Sequence, residues 1–255
     1  TNTWSAAASL TTARYLHTAV LLNSGKDLVI GGYTGTVTTA SCELYDPVSN
    51  TWSAAGSLPA AKYQNTATLL TSGTNSGKVL VTGGYSGSAY MSSCELYDPA
   101  TNTWSAAASL TTGRSGHTAT LLTSGKVLVT GGYNSYYLST CQIYDPDTNT
   151  WATVRSLAVP RQYHRETLLI SGANSGKVLV SGGFNGSSTA SYELFEHQTF
   201  TLSTWLNVGI HTAYFSGLPG TVTLGSDVLL GNLTSEISGY TINSDSFILN
   251  LSSNF

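Results

Sequence analysis

The phrase Thr3-Trp4-Ser5-Ala6-Ala7-Ala8-Ser9-Leu10 returns as residues 103–110, with Thr51-Trp52-Ser53-Ala54-Ala55 between the two and Thr150-Trp151 after them. A Gly-Gly-aromatic triplet keeps step with it: Gly31-Gly32-Tyr33, Gly83-Gly84-Tyr85, Gly131-Gly132-Tyr133 and Gly182-Gly183-Phe184, at intervals of 52, 48 and 51 residues. After each triplet comes Glu-Leu-Tyr-Asp-Pro or a variant, at 43–47, 95–99, 142–146 and 193–196. Such internal repetition constrains the fold more than any other feature. Each unit must bury its apolar surface against its neighbours, because a unit of this length cannot do so alone.

Each unit reads as four short strands. In the second, 65–70 and 78–82 are β-branched and apolar runs bounded by Gly and Ser, and 93–97 is a third run. The Asp98-Pro99 turn then leads to a fourth strand around Trp104. No stretch carries a sustained helical period with caps. Four-stranded sheets that pack radially, face to face, make a β-propeller.

The template extends loosely to the end. His211-Thr212-Ala213 echoes 17–19 and 117–119, Asp227–Asn232 echoes Lys78–Gly84, and Phe200 and Phe247 fall at the Trp spacing. The chain therefore reads as a single domain over 1–255. It has four clear repeats over 1–205 and, over 206–255, a degenerate fifth repeat or a separate β segment.

A double Gly after an apolar strand, a Tyr before a turn and then a Trp resemble the kelch motif, whose period is about 50 residues. The resemblance covers 1–205 strongly and 206–255 weakly. It implies an all-β, kelch-type β-propeller of four-stranded blades, about five of them visible here, either the whole ring or part of a larger one. It also implies that the first strand of each blade lines a central channel and that the Trp strand is outermost. Either Thr1–Leu10 closes the ring against the C-terminal blade, or the array is longer.

Composition narrows the function. Only 9% of residues are charged and the formal net charge is −3, too little positive charge for an electrostatic nucleic-acid binder. No apolar run is long enough to span a bilayer as a helix. Cys42, Cys94 and Cys141 are an odd set at one repeated position, which reads as packing thiols rather than a disulfide framework. Sequons at Asn185, Asn232 and Asn250 fit a secreted chain, and secretion is the expected localisation.

Two cation series recur. Lys26, Lys78, Lys126 and Lys177 follow Ser-Gly ahead of the second strand and read as solvated turn residues. Arg14, Lys62, Arg114 and Arg161 each precede the first strand, three residues before His17, Asn65, His117 and His164. With Tyr15, Tyr63 and Tyr163 beside them, these four cations form the candidate binding set, since the resemblance places them at the rim of the central channel. Arg forks and aromatic rings round a concave mouth suit a protein segment or a glycan. The alternative is that each cation ties backbone carbonyls together inside the scaffold. The repeated His reads as a structural hydrogen-bonder rather than a metal ligand.

No catalytic residue, metal ligand or cofactor site stands out. Gly73–Lys78 and Gly172–Lys177 are one residue short of a phosphate loop and lead into strands. Asp145–Asn149 lacks the Gly and the Glu of a calcium loop. Asymmetric groups gather in the fourth repeat: Arg155, His164-Arg165-Glu166, His197 and Trp205. The expected function is a non-catalytic binding or scaffold module. Two alternatives remain: a carbohydrate-active or copper oxidase-like propeller, and a structural protein that self-associates through its terminal strands.

Overall fold

The structure is a computed structural model. It describes residues 2–197 and five short strands between 212 and 250. The chain divides into two compact units, Thr1–Glu196 and His197–Phe255.

The first unit is a kelch-type propeller of four blades, with no helix among its described residues. Blade 1 is β1 (Thr18–Leu21), β2 (Asp27–Ile30), β3 (Cys42–Asp46) and β4 (Thr51–Ala55). Blade 2 is β5 (Thr66–Leu69), β6 (Val79–Thr82), β7 (Cys94–Asp98) and β8 (Thr103–Ala107). Blade 3 is β9 (Thr118–Leu121), β10 (Val127–Thr130), β11 (Cys141–Asp145) and β12 (Thr150–Val154). Blade 4 has β13 (Arg165–Leu168), β14 (Val178–Ser181) and β15 (Tyr192–Phe195). Every blade is an antiparallel meander in sequence order. The first strands lie against one another in series, β1 on β5, β5 on β9 and β9 on β13, so they are innermost as the motif implied.

The strand limits read from the sequence hold to within a residue or two. In β6 and β10 the Val-Leu-Val run is wholly buried, because both sheet faces are covered by neighbouring blades. Fully burying each such side chain contributes about 1.5–3 kcal/mol. The core is therefore three clusters, each drawn from two adjacent blades. Cys42 and Leu58 pack with Val79, Val81, Tyr97 and Trp104. Cys94 and Leu110 pack with Val127, Val129, Tyr144 and Trp151. Cys141 and Leu157 pack with Val178 and Phe195.

Within each complete blade the third-strand Tyr stacks on the fourth-strand Trp, with centroids 5.0–5.1 Å apart. The Trp indole N–H then reaches across to the segment that leads into its own blade. Trp52 donates to Ala8 O, Trp104 to Gly56 O and Trp151 to Ala108 O. The turn lysines pair with the acid after the third-strand aromatic: Lys26 with Asp46, Lys78 with Asp98, Lys126 with Asp145 and Lys177 with Glu196. These partly exposed pairs contribute little.

In the second unit β16 (Thr212–Phe215) pairs parallel with β18 (Asn232–Ser235), and β17 (Thr221–Thr223) pairs parallel with β19 (Thr241–Asn243). β19 also pairs antiparallel with β20 (Ile248–Asn250). Both parallel ladders join residues twenty positions apart, unlike the meanders of the blades. The anchors Phe200 and Phe247, and also Trp205, Val208 and His211, lie outside the described residues.

Candidate functional site

The cations before the first strands turn inward. The Arg14 guanidinium donates to Gly31 O at 3.0 Å, Ser41 O at 2.7 Å and Glu43 Oε1 at 2.6 Å, with no side-chain exposure. Arg161 repeats this with Gly182 O, Ser191 O and Glu193. Arg114 reaches Gly131 O and Thr140 O. Lys62, too short for the carbonyls, meets Ser93 Oγ and Glu95 Oε2.

The same residues use their backbone in the other direction. Lys62 O accepts from Gly32 N, Arg114 O from Gly84 N and Arg161 O from Gly132 N, in each case on the preceding blade. Each cation thus staples its own blade by its side chain and the previous one by its carbonyl. This approach explains the first Gly of the pair. Gly83 has φ +57°, and a Cβ there would lie 2.6 Å from Arg114 O. A ligand at the surface meets none of these four charges.

Aromatic rings line that rim instead. Tyr15 and Tyr33 exchange backbone hydrogen bonds, as do Tyr63 with Tyr85, Ser115 with Tyr133 and Gln162 with Phe184. These isolated bridges project their rings onto the rim where the first strands begin. The contacts run unbroken: Tyr15–Tyr33–Tyr63–Tyr85–Tyr90–Tyr133–Tyr137–Phe184, with centroids 4.7–5.8 Å apart.

Continuity outlasts the repeat that builds it. Between blades 1 and 2 the bridging ring is Tyr63, beside the buried cation. Blades 3 and 4 carry Ser115 and Gln162 at that position. There Tyr90 and Tyr137 supply the ring from the preceding blade, where blade 1 has only Thr38. Burial first, and then neighbouring tyrosines, raise the pKa of Tyr63 and Tyr90, so the belt is a neutral, hydroxyl-edged surface.

Tyr163 completes the rim differently. Gln64 N, Gly116 N and Tyr163 N donate to Leu16 O, Gln64 O and Gly116 O respectively, a chain of left-handed residues linking all four blades. The Tyr163 ring lies over Gly116, where a Cβ would come within 2.9 Å of it, and its hydroxyl accepts a hydrogen bond from Gln64 Nε2 of blade 2. Tyr15 and Tyr163 are each about half exposed.

Of the seven expected site residues, the structure brings Tyr15 and Tyr63 into the belt and lays Tyr163 beside it, while the four cations support the rim from within. Sequence reading missed Tyr33, Tyr85, Tyr90, Tyr133, Tyr137 and Phe184 as surface residues. The Gly-Gly-aromatic triplet was the available signal for Tyr33, Tyr85, Tyr133 and Phe184, whereas Tyr90 and Tyr137 lie outside it.

Beneath the rim, His117 Nε2 meets the hydroxyls of Thr66 and Thr82, and His164 Nε2 those of Thr118 and Thr130, each across a blade junction. Burial lowers both pKa values, that of His164 to about 4, so both imidazoles are neutral. Asn65 stands in the same place with both amide atoms buried and unpaired, where Ile30 replaces the hydroxyl residue that blades 2 and 3 supply as Thr82 and Thr130. The Glu166 carboxylate is held by the hydroxyls of Thr120 and Thr130.

No curated protein matches the chain. The family model of the KLHDC2/KLHL20/DRC7 kelch-repeats domain matches residues 1–183. Propellers of that kind generally serve as protein-interaction scaffolds. With the stapled Gly pairs, the stacked Tyr–Trp pairs and this match in agreement, the chain belongs to the kelch-repeat β-propeller family.

Proposed function

We propose that this propeller is a non-catalytic binding module that takes an extended, uncharged protein segment along the aromatic belt. The observation that carries the reading is the substitution of Tyr90 and Tyr137 for the missing rings at 115 and 162. Packing alone does not require a ring chain to be restored from another position, whereas a continuous strip of contact for a ligand does. Aromatic-lined surfaces favour extended polypeptide, proline-rich segments in particular, whose order is largely set before binding. Tyrosine adds large rigid area with a hydrogen-bonding edge.

An array of neutral proline-rich peptides and a glycan array, probed with the same protein, test this. Peptide binding that falls about tenfold or more in Tyr33→Ala and Tyr133→Ala is expected, consistent with aromatic hot spots. Peptide binding indifferent to both substitutions would remove the belt as the site. Capture of glycans alone would replace the protein segment with a sugar as the ligand. Secretion, on which the sequons Asn185, Asn232 and Asn250 bear, belongs to the same reading, and glycosylation mapping of the native protein tests it.

A further inference from the structure

Asn2-Thr3-Trp4-Ser5-Ala6-Ala7 is identical to 50–55 and 102–107, the segments that form β4 and β8. Those strands complete their blades against β3 and β7, pairing Trp52 with Tyr45 and Trp104 with Tyr97. The N-terminal copy pairs with no strand among the described residues, and the Trp4 side chain is wholly exposed.

Among its described residues, blade 4 shows no counterpart of this segment. β15 has no outer neighbour among the described strands. Phe195 stands in the stacking position with no indole beside it among the described residues. A cleft of about 360 Å³, lined by Cys141, Leu157, Val180, Leu194 and Phe195, lies where Trp104 and Trp151 fill the other two clusters. The backbone is prepared as well. In the complete blades an Asn and a Trp clamp one residue of the preceding connection. Asn50 Oδ1 accepts from Ala8 N while Trp52 donates to Ala8 O, and Asn102 with Trp104 and Asn149 with Trp151 clamp Gly56 and Ala108 in the same way. The equivalent residue for blade 4 is Arg155, whose N–H and C=O meet no partner among the described residues.

We propose that residues 2–7 of one copy of this chain form the fourth strand of blade 4 in a second copy, with Trp4 in the cleft against Phe195 and Asn2 and Trp4 clamping Arg155. Within one chain the two do not meet. Ala8 and Thr11 are tied to blade 1 through Asn50, Trp52 and Glu43, and blades 2 and 3 intervene. Asp27 stands where Val79, Val127 and Val178 are fully buried, so blade 1 presents a carboxylate where another blade would pack; the strand is what the copy donates. Phe200, the residue of this chain at the next Trp spacing, has no indole N–H for Arg155 O. Added strands bind through main-chain hydrogen bonds and are selected by their pockets.

The register follows from Leu44 opposite Ser53, which places Ser5 opposite Leu194. The full chain carrying Ser5→Cys and Leu194→Cys, oxidised without denaturant, is expected to form disulfide-linked dimers and higher species, while either single substitution alone gives no such ladder. The three native thiols are buried and do not compete. In sedimentation velocity the unsubstituted chain is expected to associate with rising concentration. Trp4→Ala, which touches nothing in the fold, should raise the concentration needed about tenfold or more. A cross-link confined within one chain, or a chain monomeric at every concentration, would overturn the proposal, as would association indifferent to Trp4→Ala.

Discussion

In blades 1, 2 and 4 the buried cation meets a carboxylate, from Glu43, Glu95 and Glu193. In blade 3 the counterpart is Gln142, whose Oε1 accepts from the Thr111 N–H and hydroxyl while its Nε2 is buried without a partner. Burial, with no carboxylate to oppose it, pulls the Arg114 pKa down to about 10. Gln142→Glu is expected to recreate the geometry of Glu43, one oxygen toward threonine and one toward the guanidinium. A charge-assisted hydrogen bond of this kind contributes about 1.5–3 kcal/mol. Urea unfolding near neutral pH should show a higher midpoint, and an unchanged midpoint would mean that Arg114 is already compensated. The cations and their acids were both visible as recurring letters. Their inward turn stood only as the alternative to a rim-facing set, because it depends on carbonyls and carboxylates 17 to 33 residues away, a pairing that spacing along the chain does not encode.

The strands themselves were readable, since each is a short β-branched or aromatic run closed by Gly, Asn or Asp-Pro. What completes a strand was harder to read. The phrase around Trp4 looked like a strand, yet it lies unpaired beside blade 1, while blade 4 shows three strands and outward-facing Tyr192 and Leu194. Gly182 makes the same point: among the described residues a Cβ there meets nothing closer than 3.7 Å, whereas Gly31, Gly83 and Gly131 are crowded by the carbonyl of the next blade. Stability in stacked repeats is the sum of each unit and its contacts. Blade 4 should therefore open first. Hydrogen exchange at low protein concentration is expected to run about tenfold or more faster in β13 and β15 than in β6, β7, β10 and β11. Uniform protection across the four blades would contradict this order of stability.

Over the whole propeller, the blade junctions carry a pH dependence. His117 and His164 are held neutral by burial, then by Arg114 beside the first and by Arg161 and Arg165 beside the second. Their native pKa values lie below the unfolded 6.5, so on unfolding below that pH each takes up a proton that the native state refuses. Stability is therefore full above pH 6.5 and falls toward pH 4, by up to about 1.4 kcal/mol per pH unit for each imidazole. Glu166 acts in the opposite sense. Burial raises its pKa against the threonine hydroxyls that favour its charge, so from 4.5 up to its raised value it is ionised more readily in the unfolded chain. Between pH 4.5 and the raised Glu166 value the net slope should thus be closer to one proton than to two. His117→Asn, a residue the fold already accommodates at Asn65, is expected to flatten that slope, and Glu166→Gln to steepen it. Denaturant titrations across this range decide the matter: a slope that neither substitution changes would place the acid sensitivity outside the blade junctions.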